Sequence, residues 1–311
     1  MKKHAHIFLK LMLCIWVLFS ACNSSSTSSN HLTGNDDEAM NAANEIIAFN
    51  NKLVKADNSH ASFIRTMHSF MQSTGRFITT RLEQPDSRTI APATVPPVSI
   101  NTLQGIVYPN GWSKTYQPMV KDMEDSFDAL KKLQKEVDVY REAEDWKEDN
   151  GEKLTEFNER IYQEIDKNRA ASKALFTKIR PEVDQAEEEV LKGHPLKDPI
   201  IQSKRVMSLA LDITNQSYDA TDLDTFKAEF EKQYDQLEKM HEKNSALSIP
   251  DTYKNKERSF NAFNDAASNF LGKMRIIKRE LEANSELTDS ALNQLDAASQ
   301  SVLRAYNSFV D

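Results

Sequence analysis

FNAFNDAASNFLGKMRIIKREL, residues 260–281, decides the fold class. Its apolar positions Phe260, Phe263, Ala267, Phe270, Met274, Ile277 and Leu281 recur at steps of three and four. That spacing keeps side chains on one face of an α-helix, whereas a strand of period two would scatter them over both faces. The stripe is too apolar to face water along its length, so it calls for partner helices with stripes of their own.

Such stripes occur on both sides of it. Downstream, Leu292, Leu295, Val302, Tyr306 and Phe309 form one; upstream, Leu223, Phe226, Phe230, Tyr234 and Leu237 form another, opened by Thr221 and Asp224 as a capping pair and closed by Pro250. Ile200, Val206, Leu209 and Ile213 follow Pro199, which can open a helix. Leu154, Phe157, Ile161, Ile165, Leu175, Ile179, Val183 and Val190 trace a long helix, kinked or restarted at Pro181 and stopped by Gly193-His194-Pro195. Before it come Met119, Met123, Phe127, Leu130, Val137 and Tyr140, and before those a helical region from about Asp36 to Leu82. That region carries Met40, Ala43, Ile47, Asn50 and Val54, then Phe63, Met67, Phe70 and Phe77, with a break expected at Asp57-Asn58-Ser59.

Glycine is scarce, with seven in 311 residues, and β-hairpin punctuation is nearly absent. The chain is therefore read as all-α. Helices of thirty or so residues reach ~45 Å, and short connections near 192–198, 248–252 and 284–288 make neighbours antiparallel. The expected architecture is an elongated antiparallel multi-helix bundle with one long Pro-rich loop. Aromatic residues at many stripe positions suit a multi-helix core better than the narrow seam of a coiled coil.

The loop runs from Glu83 to Gly111, where Pro85, Pro92, Pro96, Pro97 and Pro109 bar a helix interior. It leads into QGIVYPNGWSKTY, residues 104–116, in which Tyr108, Trp112 and Tyr116 flank a Pro-Asn-Gly turn. Those rings form either a recognition patch or a lid closing one end of the bundle, and the preference of aromatics for burial favours the lid.

The amino terminus carries an address. Lys2, Lys3 and Lys10 make a positive region, Leu11 to Phe19 an apolar one, and Leu18-Phe19-Ser20-Ala21-Cys22 reads as the cleavage and acylation site of a bacterial lipoprotein. The apolar run falls short of the ~20 residues of a membrane-spanning helix. Residues 1–21 are thus expected to be a signal peptide, Cys22 the lipid attachment site, residues 22–38 a flexible Ser/Asn-rich tether and residues 39–311 the helical-bundle domain. Asn23 after the cysteine matches the outer-membrane signal, facing the periplasm, if the host has two membranes.

Removing residues 1–21, with three lysines and no acid, takes the formal charge from −8 to −11. An acidic body disfavours nucleic acid as a partner. Cys22 is the one cysteine left after cleavage, so no internal disulfide is possible.

Catalytic and metal patterns are sparse. A di-iron bundle needs two Glu-x-x-His pairs, and Glu238 with His241 is alone. Glu187, Glu188 and Glu189 are consecutive, diverge on a helix, and read as a solvated face. Neither a Gly-rich phosphate loop nor a Gly-x-Ser-x-Gly elbow is present. These readings leave no cofactor, no metal and no assigned catalytic residue. The function they point to is non-catalytic binding or scaffolding in the envelope, with an envelope protein as partner; a solute- or metal-binding lipoprotein is the alternative, an envelope hydrolase a weaker one.

YREAEDWKEDNGEKLTEFNERI, residues 140–161, resembles the YiiG-like bacterial lipoprotein family, a domain of unknown function. In that family a tyrosine precedes an aromatic-Lys-acid-Asp-Asn cluster and a long helix, positions held here by Tyr140, Trp146, Lys147, Asp149 and Asn150. Aromatic-Asn pairs near both ends of the domain match Phe49-Asn50 and Tyr306-Asn307, while Gly151 departs from the pattern. The resemblance covers roughly residues 39–311 and implies no catalytic residue. The Trp146 to Asn150 cluster is either a ligand site or a loop and helix cap over a packed tryptophan, and the cap is favoured.

Overall fold

The structure, a computed structural model, describes residues 34–93, 103, 105–220, 222–284 and 287–311. Residues 1–21, Cys22 and the tether as far as residue 33 lie outside them, as do Pro96, Pro97, Gln104 and Thr221. The described residues form seven α-helices and no strand: α1 (Gly34–Glu83), α2 (Ser113–Glu142), α3 (Glu152–Val190), α4 (Lys197–Asp219), α5 (Leu223–Ser245), α6 (Glu257–Asn284) and α7 (Asp289–Val310). Short 3-10 helices lie at Asp145–Lys147 and Asp251–Lys256. No described helix is long and apolar enough to cross a membrane.

The helices divide into two compact units, Asn41–Ala186 and Glu187–Asp311 together with residues up to Met40. In the second of these, α6 packs on α7, α4 on both α5 and α7, and α5 on α6. Every position of the 260–281 stripe is buried, and Phe263, Phe270 and Met274 are fully so. Around Phe270 and Met274 the core continues through Met207, Ile213, Phe230, Leu237, Leu295, Val302 and Tyr306. A second cluster joins Leu191, Leu196, Ile200, Ile249, Phe260 and Phe309, so the turn 191–196 and the connection around Ile249 are packed down by their own apolar residues.

The unit Asn41–Ala186 is built on α1, α2 and α3. Phe63 of α1 meets Phe127 of α2 edge-on at 5.2 Å, and Tyr140 of α2 meets Phe157 of α3 at 5.6 Å. These ring contacts sit on the three stripes read from the sequence, which supply Phe63, Met67, Phe127, Val137, Ile161 and Ile165 to its core.

Four boundaries differ from the sequence reading. Helix α1 starts at Gly34, inside the stretch read as tether, and runs unbroken through Asp57-Asn58-Ser59. A tertiary contact overrides the local preference there, Asp57 accepting from Ser172 on α3 at 2.5 Å, while Ser59 donates back to Lys55 O at 2.9 Å within the helix. Helix α3 likewise passes Pro181 without a restart. Pro181 and Thr177, four residues before it, lie on the exposed side, where water can take the carbonyl that proline leaves without a donor. The cap of α5 is Asp222 rather than Thr221: its carboxylate accepts from Asp224 N at 3.2 Å and from Thr225 Oγ1 at 2.5 Å.

Candidate functional site

The two clusters singled out in the sequence both belong to the unit Asn41–Ala186. The first is built on the α2 start. Trp112 stacks on Tyr116 at 4.6 Å, and Phe49 of α1 lies against Tyr108, Trp112 and Tyr116 with centroids 5.2, 6.0 and 6.2 Å away. Phe49 and Tyr116 are buried; Tyr108 and Trp112 are half-buried. The Tyr116 hydroxyl donates to Lys178 O of α3 at 3.4 Å. Burial raises the phenols of Tyr108 and Tyr116, helped by Glu124 and Glu182 respectively. The rings therefore converge on an α1 residue in the interior, and Val107, 73% exposed, is a large apolar side chain that this turn leaves facing water.

The second cluster joins α2 to α3. After α2 ends, Glu144 adopts a left-handed backbone at φ 60° and Asn150 another at φ 53°. Between them Trp146 is driven inward to 1% exposure and packs edge-on against Phe77 at 5.9 Å. Asp149 then opens α3. Its Oδ1 accepts from the Tyr140 hydroxyl at 2.7 Å and from Gly151 N at 2.9 Å, and its Oδ2 from Lys153 N at 3.4 Å. The Tyr140 hydroxyl is the main cause holding Asp149 below the usual carboxylate range, while burial and that same bond push the Tyr140 phenol well up. Lys147 is exposed, pairs with Glu144 and lies 5.4 Å over the Trp146 ring. Asn150 is exposed in the turn. Gly151 is required by geometry, since at φ 80° an added Cβ would stand 3.1 Å from Ile78 Cγ2 of α1. The cluster is thus a turn, a helix cap and a buried indole.

A third group was not legible in the sequence as a group. In the same unit, Asp57 and His60 of α1, Ser126 of α2, and Asn168 and Ser172 of α3 are all buried. Asn168 donates to Met123 O and to Ser126 Oγ, both at 3.0 Å. His60 stacks flat on Phe127 at 3.7 Å. Burial pushes the Asp57 carboxyl up to about 6, against the Ser172 bond, and pushes the His60 imidazole down to about 4, with Lys131 adding to the effect and Asp128 opposing it. The i, i+3 spacing of Asp57 and His60 is the one signal the sequence held for this layer.

The remaining candidates are engaged elsewhere. Glu238 accepts from the Tyr234 hydroxyl at 2.6 Å and His241 bonds to Asn264 O at 3.0 Å, so the pair does not converge on a common point. Glu187, Glu188 and Glu189 do diverge, to Lys204, Arg205 and Lys192. Glu187 is nevertheless buried with Lys204, which corrects its reading as part of a solvated face: α4 covers that side of the chain. Among the described residues no group of three or more His, Cys, Asp or Glu side chains is placed to hold a metal ion.

The fold is shared with known structures. An alpha helical protein from Bacteroides fragilis NCTC 9343 superimposes with a TM-score of 0.55 at 15% identity, covering 87% of this chain and 99% of its own. An uncharacterized DUF3829-like protein from Bacteroides thetaiotaomicron VPI-5482 gives 0.55 at 16% identity, covering 86% of this chain and 99% of its own. No curated protein matches the sequence. The family model described as "Protein of unknown function (DUF3829)" matches residues 114–311, which is more than half of the sequence, and the chain belongs to that family.

Proposed function

We propose that this DUF3829 protein is a lipid-anchored helical protein of the cell envelope, acylated at Cys22, that binds or scaffolds another envelope component without catalysing a reaction. The observation that carries the reading is Leu18-Phe19-Ser20-Ala21-Cys22 after a short apolar run, followed by a Ser/Asn-rich stretch. Acyl chains contribute about 0.8 kcal/mol per buried methylene, enough in combination to hold a folded body at a membrane surface. The likeness of residues 140–161 to YiiG-like lipoproteins supports the same address. With Asn23 after the cysteine, the outer membrane facing the periplasm is the destination in a cell with two membranes.

Cys22→Ser is expected to move the protein from the membrane to the soluble fraction and to abolish labelling by a palmitate analogue, with circular dichroism of the body unchanged. Retention of both label and membrane fraction would sink the assignment. A solute-binding lipoprotein is the second reading, and a hydroxyl-lined groove on α1 favours it.

A further inference from the structure

Along the outer side of α1, Thr66, Ser69, Ser73, Arg76 and Thr80 follow one another at steps of three and four, so they share one face of the helix. Beside them Phe70 and Phe77 form the floor of a groove of about 530 Å³, and Thr89, Ile90, Pro92 and Ala93 form its far wall. That size falls within the range of small-ligand sites, which combine apolar walls with a few convergent polar groups.

The wall is built rather than draped. Arg141, 6% exposed and 5.4 Å from the Phe70 ring, donates to Pro92 O, and Arg81 donates to Ser87 O. Two charge-assisted bonds thus hold the segment after α1 at a set distance from the helix. Ile90 stands at the rim with 89% of its surface exposed, a large apolar side chain that nothing among the described residues covers.

The charge at the groove runs against that of the chain. The whole sequence carries 47 acidic residues against 39 basic ones, yet no carboxylate lines this groove and Arg76 does. Arg76 is exposed and makes no hydrogen bond or ion pair to any described residue, unlike Arg81 and Arg141 beside it. A guanidinium lining a groove with two buried phenylalanines and several hydroxyls, of which that of Thr66 donates to Ser62 O at 3.1 Å and can still accept, matches a carboxylate attached to an apolar or ring-shaped body.

We propose that this groove is a binding site for a small organic acid, with Arg76 taking the carboxylate, the α1 hydroxyls taking polar atoms of the body, and Phe70, Phe77 and Ile90 its apolar part. The proposal deepens the solute-binding reading and rests on it, and it does not depend on Cys22.

Calorimetric titration of the full chain with dansylglycine, an aromatic carboxylate, and with its uncharged amide tests it. Saturable binding of the acid is expected, with the amide weaker by about tenfold or more, the scale of a lost charge-assisted bond. Arg76→Glu should weaken the acid by at least as much, and Ser73→Phe should block it by filling the groove while leaving the charge in place. Arg65→Glu, an exposed arginine of α1 outside the groove, should bind as wild type. Because Arg76 is exposed, its variant should melt as wild type does, which separates loss of a site from loss of fold. Equal binding of acid and amide, wild-type binding by Arg76→Glu, or no saturable heat would each overturn the proposal. So would binding of a glutamate-rich peptide through Arg76 with no binding of dansylglycine, which would make the groove a peptide site. None of these outcomes bears on membrane release of the Cys22 variant.

Discussion

Asp57 and His60, one helical turn apart on α1, titrate in opposite senses in the same buried layer. The native state holds the Asp57 proton more tightly than the unfolded chain does. Its contribution is therefore fully present below the ordinary value of 3.8 and is lost as pH rises through about 6, a change of about 3 kcal/mol. The native state instead favours neutral His60, whose contribution is fully present above 6.5 and is lost as pH falls through about 4, again about 3 kcal/mol. Between those limits the two nearly cancel. Urea unfolding across pH should show it: relative to wild type, Asp57→Asn loses roughly 3 kcal/mol on going from pH 6.5 to 4, and His60→Phe gains a similar amount. A profile for Asp57→Asn parallel to wild type would mean that folding does not raise the Asp57 carboxyl. Lys204 and Glu187 make the other residue-scale test. Lys204→Met should cost about 3–5 kcal/mol by removing the ammonium that pairs with a buried carboxylate, and adding Glu187→Leu should restore much of it, as an unfolding double-mutant cycle would reveal.

At the scale of elements, the apolar stripes were the dependable signal. Of the positions read on α6, all are buried, and Phe270 is completely enclosed by α4, α5 and α7 residues. Phe270→Ala is expected to destabilise by roughly 3–5 kcal/mol, read as a lowered midpoint in thermal melts followed by circular dichroism. An unchanged midpoint would place the stripe outside the core. Element boundaries were less legible. The Asp57-Asn58-Ser59 run and Pro181 are ordinary breaking signals, but packing and hydration of one exposed carbonyl outweigh propensities of ~1–3 kcal/mol. Gly193 at φ 78° and Asp149 at the start of α3 acted as the local rules require, because capping depends on bonds reached within a few residues.

For the molecule as a whole, the two cysteines, Cys14 and Cys22, both precede the first described helix, so no disulfide joins two positions of residues 34–311. Excess dithiothreitol should leave the melting midpoint of the chain where it is; a lowered midpoint would reveal a covalent cross-link that this composition forbids within the body. Helix class, the positions of the stripes, the long proline-bearing interruption after α1 and the acidic balance were determined by the sequence itself. Each is a property of neighbours along the chain or of a sum over it, and 3.6-residue periodicity needs no knowledge of partners. Tertiary structure alone decided which helices share a core, and it alone brought Asp57 to Ser172 across 115 positions and Glu187 to Lys204 across 17. It also turned the Tyr108, Trp112 and Tyr116 rings onto Phe49 and set Arg76 in a groove lined by no carboxylate. Those juxtapositions depend on the rotation and register of one helix against another, which are set by side-chain packing between segments distant in the chain and leave no periodic trace in any one of them.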